Sequence, residues 1–264
     1  MRIDNKFSEL KKQGKKAFIC YLMASDPSEN FTAEILPKIV DAGCDIIELG
    51  MPFSDPMAEG QIIQDATKRA LKNNCDINKV FEIVSNFRKT NNHTPIILMG
   101  YYNPVLKYGV QKFLENSKYS GVDGFIIVDL PFEEENEFTK FSKALDLPLI
   151  RLTTPTTDEN RAEKILKTAS GFVYHISVSG VTGQKEAIAD SVASGISKIK
   201  KYTNLPVCAG FGIKTASQAK EVAKNADGIV IGSALIKMIE ENLENPKLAE
   251  EKIINFVKAI REVL

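Results

Sequence analysis

The sequence ELGMPFSDPMAEGQIIQ, from Glu48 to Gln64, contains the clearest strand–loop–helix pattern of the chain. It starts at the end of an apolar run, Cys44–Gly50, continues through a loop with two prolines, and enters a helical pattern after Gly60. Side chains alternate between the faces of a strand, so Glu48 points the same way as Ile46. A strand this apolar is typically covered on both faces. A buried carboxylate is costly, so Glu48 is either paired with a buried cation or backbone amides, or it performs chemistry.

Strand-like and helix-like segments alternate along the rest of the chain. Eight apolar runs of strand length are separated by amphipathic segments, with no long linker between them. This alternation predicts a single domain over residues 1–264, an α/β fold built as one (β/α)8 TIM barrel with an extra N-terminal helix at Asn5–Gln13. A doubly wound open sheet is the alternative, although it would more often have fewer strands. The predicted strands are Ala17–Met23, Cys44–Gly50, Pro95–Tyr101, Gly124–Leu130, Pro148–Thr153, Phe172–Val178, Pro206–Gly212 and Gly228–Gly232.

Two acids of the opening stretch fall at one edge of this predicted barrel. Glu48 lies at the end of the second strand, and Glu59 lies in the loop after it. Catalytic groups of such barrels sit at the carboxyl ends of the strands. Two carboxyl groups at that edge indicate general acid–base chemistry.

The last three predicted strands end in sequences typical of an anion site. Glycines follow the sixth, seventh and eighth strands, and a helical pattern begins after Gly232 and Ser233. Glycines let backbone amides approach a ligand closely, and a helix N-terminus supplies free N–H groups and a positive dipole end. The recurrent phosphate site of these barrels uses the late loops. The sequence therefore predicts a bound phosphate group.

Composition argues against several classes of function. The 34 Lys and Arg residues balance 34 Asp and Glu residues, so no net field favours nucleic acid or an anionic membrane. No apolar run is long enough to span a bilayer, and the first residues lack the apolar core of a signal peptide, so a cytoplasmic protein is expected. The four cysteines form no Cys-x-x-Cys pair and are expected to be reduced and buried.

The residue types in the strands narrow the chemistry further. Barrels that cleave carbon–carbon bonds of sugar phosphates usually use a strand lysine or a metal held by histidines. The eight predicted strands contain no lysine, and the two histidines, His93 and His175, are far apart in the sequence. The remaining possibility is acid–base catalysis by carboxylates, with a phosphate group whose binding orients the substrate.

The run Glu48–Gly60 resembles the signature of the tryptophan synthase alpha chain family, Glu-Leu-Gly-x-Pro-Phe-Ser-Asp-Pro-x-Ala-Asp-Gly. One position departs chemically, because Glu59 stands where the family has Asp. The segments Ser179–Gly183 and Gly210–Gly212 agree with the family, and the resemblance covers essentially the whole chain. It implies a lyase that cleaves indole-3-glycerol phosphate to indole and glyceraldehyde 3-phosphate. It also implies an α2β2 heterotetramer in which a beta-chain partner carries pyridoxal phosphate (PLP), with no cofactor in this chain.

The resemblance also implies roles for single residues. Glu48 would protonate the indole C3 and take the substrate's hydroxyl proton, and Glu59 would accept a hydrogen bond from the indole N–H. Thr182 would contact the catalytic acid at 59, or Asp129, from a closing loop. The implied phosphate ligands are Gly183, Gly212, Gly232 and Ser233. The implied substrate contacts, most of them walls of an indole slot, are Tyr21, Met99, Tyr101, Ile126, Asp129, Tyr174, Thr182 and Phe211.

The sequence is also compatible with two other functions. A phosphate-binding barrel that chiefly regulates its partner would fit Glu59 and Val178, which replaces an arginine common in the family's closing loop. A sugar-phosphate isomerase or epimerase would share the phosphate site but not the run Glu48–Gly60. Arg151 and His175, polar residues inside predicted strands, are interpreted as structural residues with satisfied hydrogen bonds.

Overall fold

The computed structural model describes residues 1–176, 185–210 and 212–264, with the backbone alone for residues 185–191. Within these residues, eight parallel strands form a single sheet and helices cover its outer face. The strands β1 to β8 are, in chain order, Ala17–Met23, Ile46–Gly50, Ile96–Gly100, Gly124–Ile127, Arg151–Thr153, Val173–Ile176, Val207–Gly210 and Gly228–Ile231. The helices α1 to α12 are Arg2–Lys12, Glu29–Asp41, Gln61–Lys72, Ile77–Arg88, Tyr102–Tyr108, Val110–Ser120, Asn136–Ala144, Glu159–Leu166, Lys185–Ile199, Ala216–Ala223, Ser233–Glu240 and Pro246–Arg261.

The sheet closes into the predicted TIM barrel. Its strand order is β4-β3-β2-β1-β8-β7-β6-β5, and β4 meets β5 through a parallel bridge between Phe125 and Leu149. The Phe125 amide donates to the Pro148 carbonyl at 2.9 Å, and the Ile150 amide donates to the Phe125 carbonyl at 2.8 Å. Because the other seven strand pairs have longer ladders, this seam is the most weakly hydrogen-bonded part of the described barrel.

The interior of the barrel is filled by side chains that alternate along each strand. Ile19, Ile46 and Ile97 belong to this interior cluster and are fully buried. The extra N-terminal helix α1 closes the amino-terminal end, where Phe7 packs on Phe172 with ring centroids 5.6 Å apart. Helix α1 therefore covers the amino-terminal end of the barrel interior, and the functional end of such a barrel is the opposite one, at the carboxyl ends of the strands.

The observed strands are shorter than the predicted ones at several ends. Strand β5 begins at Arg151, because Pro148 has no N–H to donate to a ladder and Leu149 makes a single bridge. Strand β2 begins at Ile46, since the Cys44 amide bonds to the Ile39 carbonyl and completes the end of α2. These differences leave the order and direction of the strands unchanged.

The polar residues inside the strands have mostly structural partners. Arg151 forms a buried ion pair with Glu135, as expected for a structural residue. His175 bonds through Nδ1 to the Thr153 hydroxyl at 3.0 Å, whereas its buried Nε2 has no partner among the described residues. Gly195 in α9 makes room for this ring, since a Cβ there would overlap it.

The cysteines agree with the expectation from the sequence. All four cysteines are buried and unpaired, as predicted: Cys20, Cys44, Cys75 and Cys208. No helix among the described residues combines the length and the apolar character needed to cross a bilayer.

Candidate active site

A cavity of about 530 Å³ opens at the carboxyl ends of the strands. Its walls come from β1, β2, β3, β6, β7 and β8 and from the loops and helices that follow them. Additional apolar walls, which the sequence analysis did not include, come from Ile62, Ile63, Ile176, Ile213 and Met238. The predicted site residues that line the cavity are Tyr21, Glu48, Glu59, Met99, Tyr174, Gly212, Gly232 and Ser233.

Glu48 occupies the floor of the cavity. It points inward from β2 beside Tyr21 of β1, its register partner, and only 1% of its surface is exposed. Its Oε2 is buried and has no hydrogen-bond partner among the described residues. Burial and, secondarily, the charge of Glu59 raise its pKa to about 8. At neutral pH this carboxyl group therefore holds a proton that it can give to a ligand.

Glu59 lies in the β2–α3 loop and is half-buried at the wall of the cavity. Burial raises the pKa of its carboxyl group, and a hydrogen bond from Tyr101 opposes this shift. The Tyr101 hydroxyl donates to Glu59 Oε1 at 3.3 Å and accepts the Ala58 amide at 3.1 Å. The Gln64 side chain donates to the Glu59 carbonyl at 2.7 Å. These bonds fix the loop and direct the carboxyl group.

The rings of Tyr21 and Tyr174 each pack over a glycine of the neighbouring strand. A Cβ at Gly50 would overlap the Tyr21 hydroxyl, and a Cβ at Gly210 would overlap the Tyr174 ring. The backbone at Gly232 also lies against Tyr21, since a Cβ there would be 3.1 Å from the Tyr21 Cβ. Glycine is needed at these positions because the rings occupy the space of a side chain.

The predicted phosphate ligands among the described residues line the same cavity. Gly212 follows β7 and has a φ of +30°, and Gly232 is the N-cap of α11, which begins at Ser233. The first N–H groups of α11 are free to meet an anion, and the helix dipole adds positive potential there. The site thus places proton-bearing acids and an anion-binding element in one cavity.

Three of the predicted substrate contacts lie elsewhere. Tyr101 stands behind Glu59 and does not line the cavity. Ile126 is fully buried in the barrel interior. The Asp129 carboxylate accepts the Tyr102 amide at 2.7 Å and so holds the first residue of α5. Because Tyr101 bonds to loop backbone and Asp129 bonds to the start of α5, their positions depend on contacts that strand periodicity does not encode.

Other predicted residues fall outside the described part of the chain. Thr182, Gly183 and Phe211 belong to this group, as does Val178 of the predicted closing loop. The cavity also contains charged residues that the sequence analysis missed. Lys214, Lys237 and Glu241 line its mouth. Their spacing from the glycine segments could have indicated this position. Residues 1–176, 185–210 and 212–264 contain no cluster of three His, Cys, Asp or Glu side chains arranged to hold a metal ion.

The sequence and the fold of this chain are similar to those of one family of known proteins. The family model described as "Tryptophan synthase alpha chain" matches residues 7–264. The tryptophan synthase subunit alpha of Legionella pneumophila shares 37% identity, with a TM-score of 0.93 over 99% of this chain and 97% of that one. A chain of the tryptophan synthase α2β2 complex of Pyrococcus furiosus shares 37% identity, with a TM-score of 0.85 over 92% and 97%.

A more distant relative has the same architecture. A chain of tryptophan synthase from M. tuberculosis shares 27% identity, with a TM-score of 0.87 over 99% of this chain and 97% of that one. The shared fold extends over nearly the full length of each of the three relatives. Because the family model also covers almost all of the sequence, the chain belongs to the tryptophan synthase alpha chain family, the carbon–carbon lyases that cleave indole-3-glycerol phosphate.

Proposed function

We propose that residues 1–264 act as one barrel domain that cleaves indole-3-glycerol phosphate in the 530 Å³ cavity, with Glu48 as the group that moves protons. The observation that supports this assignment most directly is the buried, protonated carboxyl group of Glu48. Its carboxyl group is buried, has a pKa of about 8, and keeps Oε2 without a partner among the described residues. A proton donor of this kind suits a substrate whose ring must be protonated at neutral pH.

The reaction can be written with Glu48 giving and regaining one proton. The protonated carboxyl group transfers its proton to C3 of the indole ring, and the resulting positive charge spreads to the ring nitrogen. The Glu48 carboxylate then takes the proton of the side-chain hydroxyl next to C3. As that oxygen becomes a carbonyl, the carbon–carbon bond breaks and its electron pair returns to the ring. Indole and glyceraldehyde 3-phosphate leave, and Glu48 is protonated again.

Glu59 is proposed to stabilise the positive charge on the ring by accepting the indole N–H. Its carboxyl group lies on the wall of the same cavity, where few waters compete for the bond. The hydroxyl of Tyr101 fixes one carboxyl oxygen and leaves the other for the ligand. Glutamate is one methylene longer than the family's aspartate, so the position of the β2–α3 loop decides whether the carboxyl oxygen reaches the ring nitrogen.

Removing the Tyr101 hydroxyl should loosen Glu59 without changing the cavity walls. For Tyr101→Phe we expect indole release to slow about 10-fold, since small displacements of a catalytic group have effects of this order or larger. The control is Tyr102→Phe, which removes a neighbouring hydroxyl that bonds at 3.3 Å to Glu137, a residue that does not line the cavity. The measurement is kcat for indole release. Equal rates in the two variants would show that the Tyr101 bond to Glu59 has no functional role.

The phosphate group is proposed to bind at the start of α11. Gly212, Gly232 and Ser233 supply backbone and hydroxyl groups at the wall of the cavity that Glu48 and Glu59 also line. An anion fixed there would hold the glycerol chain across the cavity and present the indole ring to the two acids. Binding energy from the phosphate then contributes to orientation at the reacting carbon.

A beta chain that carries PLP is the proposed partner, and this chain is proposed to hold no cofactor itself. The P. furiosus relative forms an α2β2 complex. At the same end of the barrel, Met57 is 78% exposed and Leu106 is 51% exposed, beside a groove that includes Phe53 and Asn103. Exposed apolar side chains next to a groove are typical of a docking surface. We also propose a cytoplasmic location, which rests on the four unpaired cysteines.

One assay tests the proposed reaction against its alternatives. Indole production from indole-3-glycerol phosphate is measured for the purified chain, alone and with a beta chain. Indole release by the chain alone, faster with the partner, is the expected result. A change only in the activity of the beta chain would indicate a regulator. No indole under either condition, with turnover of a simple sugar phosphate, would indicate an isomerase.

A further inference from the structure

Charged side chains surround the mouth of the cavity on the side of the proposed phosphate site. Lys214 follows Gly212 by two residues, and Lys237 follows Ser233 by one helical turn in α11. Both line the same cavity as these two phosphate contacts. Glu241, one further turn along, also lines the cavity and lies 3.6 Å from the Lys237 ammonium group.

The direction of helical side chains turns Lys237 toward the anion site. In an α-helix the Cα–Cβ bonds lean toward the N-terminus, and residues four apart share one face. The side chain of Lys237 therefore covers the surface over Ser233, where the free N–H groups of α11 begin. The side chain of Glu241 points toward Lys237 for the same reason. Its carboxylate attracts the Lys237 ammonium group away from the start of α11.

Lys214 reaches the same cavity from the segment after β7. It lies between β7 and α10, directly before the N-cap Thr215, and its backbone N–H donates to the Gln218 side chain at 2.8 Å. This bond fixes the Lys214 backbone, while the exposed side chain remains free to move at the cavity mouth. The two lysines thus come from the loops after the seventh and eighth strands, which also supply Gly212 and Gly232.

The charges of the cavity explain why cations are useful at this position. Glu48 is protonated at neutral pH, so the described lining residues that can carry a negative charge there are Glu59 and Glu241, and the cations are Lys214 and Lys237. A phosphate monoester brings up to two more negative charges. Backbone amides carry only partial charges, so the cavity would repel such a ligand at long range without the lysines.

We propose that Lys214 and Lys237 select for a phosphate dianion by attracting it to the start of α11, and that Glu241 weakens this attraction by pairing with Lys237. This inference rests on the proposed function. The lysines act on the binding and capture of substrate, whereas Glu48 and Glu59 act on the bond that breaks. Because both lysines are exposed, their effect is screened by salt.

The test uses glycerol 3-phosphate as the probe, with its Kd measured by calorimetry on the full chain at about 20 mM and about 300 mM NaCl, where screening differs strongly. The variants are Lys214→Gln, Lys237→Gln and Glu241→Gln. The control is Lys220→Gln, an exposed lysine of α10 that does not line the cavity. A parallel series measures kcat and KM for indole-3-glycerol phosphate.

The lysine variants and the glutamate variant are expected to change the Kd for glycerol 3-phosphate in opposite directions. Each lysine variant should raise Kd about 3- to 10-fold at low salt and flatten the salt dependence, as expected for exposed charges that act on a dianion. The variants should raise KM more than they lower kcat. Glu241→Gln should lower Kd about 2- to 5-fold on the same grounds, and Lys220→Gln should leave Kd unchanged.

The proposal would be overturned if both lysine variants bound glycerol 3-phosphate with the parent's Kd and salt dependence. An equal effect of Lys220→Gln would also overturn it, because the lysines would then act only through net charge. Binding of glycerol 3-phosphate involves no chemistry. Its result is therefore independent of the indole assay, and failure of the lysine proposal can be distinguished from failure of the proposed reaction.

Discussion

Glu48→Gln is expected to stop indole release and, at pH 8, to make the folded chain more stable. Glutamine keeps the size of the side chain but neither gives nor takes the proton that the reaction requires. General acid–base groups contribute about 10²- to 10⁴-fold to the rate, so indole release should fall by at least this range. The same carboxyl group is buried with a pKa of about 8, and this burial is a cost that the variant avoids.

The direction of the stability change follows from proton linkage. The unfolded chain releases the Glu48 proton near the ordinary pKa of 4.5, whereas the folded chain keeps it until about pH 8. Between these values the folded state binds more protons than the unfolded state, so the free energy of unfolding decreases as pH rises. One such group contributes a slope of about 1.4 kcal/mol per pH unit. The glutamine variant lacks this slope, and its advantage should grow from pH 5 to pH 8.

Two measurements check this prediction. Urea unfolding of parent and variant at pH 5, 6, 7 and 8 gives the stability difference, and an indole assay gives the rate. Glu82→Gln, which neutralises an exposed glutamate outside the cavity, is the control. A variant that retains near-normal indole release would remove Glu48 from the mechanism. A stability difference that stays constant across this pH range would contradict the raised pKa.

Arg151→Met is expected to lower the free energy of unfolding by roughly 3–5 kcal/mol, the usual effect of leaving one member of a buried ion pair without its partner. Arg151 and Glu135 are 8% and 5% exposed in their side chains, and Arg151 Nη2 donates to Glu135 Oε1 at 2.6 Å. The guanidinium group also lies 5.6 Å from the centroid of the Phe132 ring. These contacts join β5 to the segment before α7 beside the weakly hydrogen-bonded seam between β4 and β5.

The structure offers a matched control for this variant. Arg161 pairs with Glu133 at 3.1 Å, but both side chains are about half exposed. Arg161→Met should therefore change the stability by less than about 1 kcal/mol. The double variant Arg151→Met and Glu135→Met removes both buried charges and should recover most of the loss. The midpoints of urea unfolding, compared at constant m-value, give the change in stability of all three variants. Equal effects of Arg151→Met and Arg161→Met would contradict the assigned role of the buried pair.

Much of the architecture was predictable from local patterns. Apolar runs of strand length identified all eight strands, because each strand of a covered parallel barrel is apolar along most of its length. The alternation of side chains along a strand identified Glu48 as inward-facing. The rule that catalytic groups of such barrels lie at the carboxyl ends of the strands grouped it with Glu59, Gly232 and Ser233. Strand ends were less predictable. For β5 the ladder depends on pairing across the seam, so it starts three residues later than the apolar run.

Side-chain partners inside the site were not predictable in the same way. Tyr101 was assigned to the wall of an indole slot, whereas its hydroxyl bonds to Glu59 and to the Ala58 amide from behind the cavity wall. Asp129 was expected near the substrate but holds the Tyr102 amide. Each of these bonds joins residues far apart in the sequence or uses a backbone group in a loop, and neither has a periodic signature.

Local sequence patterns were enough to predict the parallel barrel, the inward direction of Glu48 and the glycine-rich strand ends. These depend on the spacing of neighbouring residues, which repeats every two positions in strands and every 3.6 positions in helices. The three-dimensional fold was needed to show that Arg151 pairs with Glu135, that Tyr101 bonds to Glu59, and that Lys214 and Lys237 line one cavity. Such contacts form when closure of the barrel brings separate loops together, and their partners are fixed by three-dimensional packing rather than by local spacing.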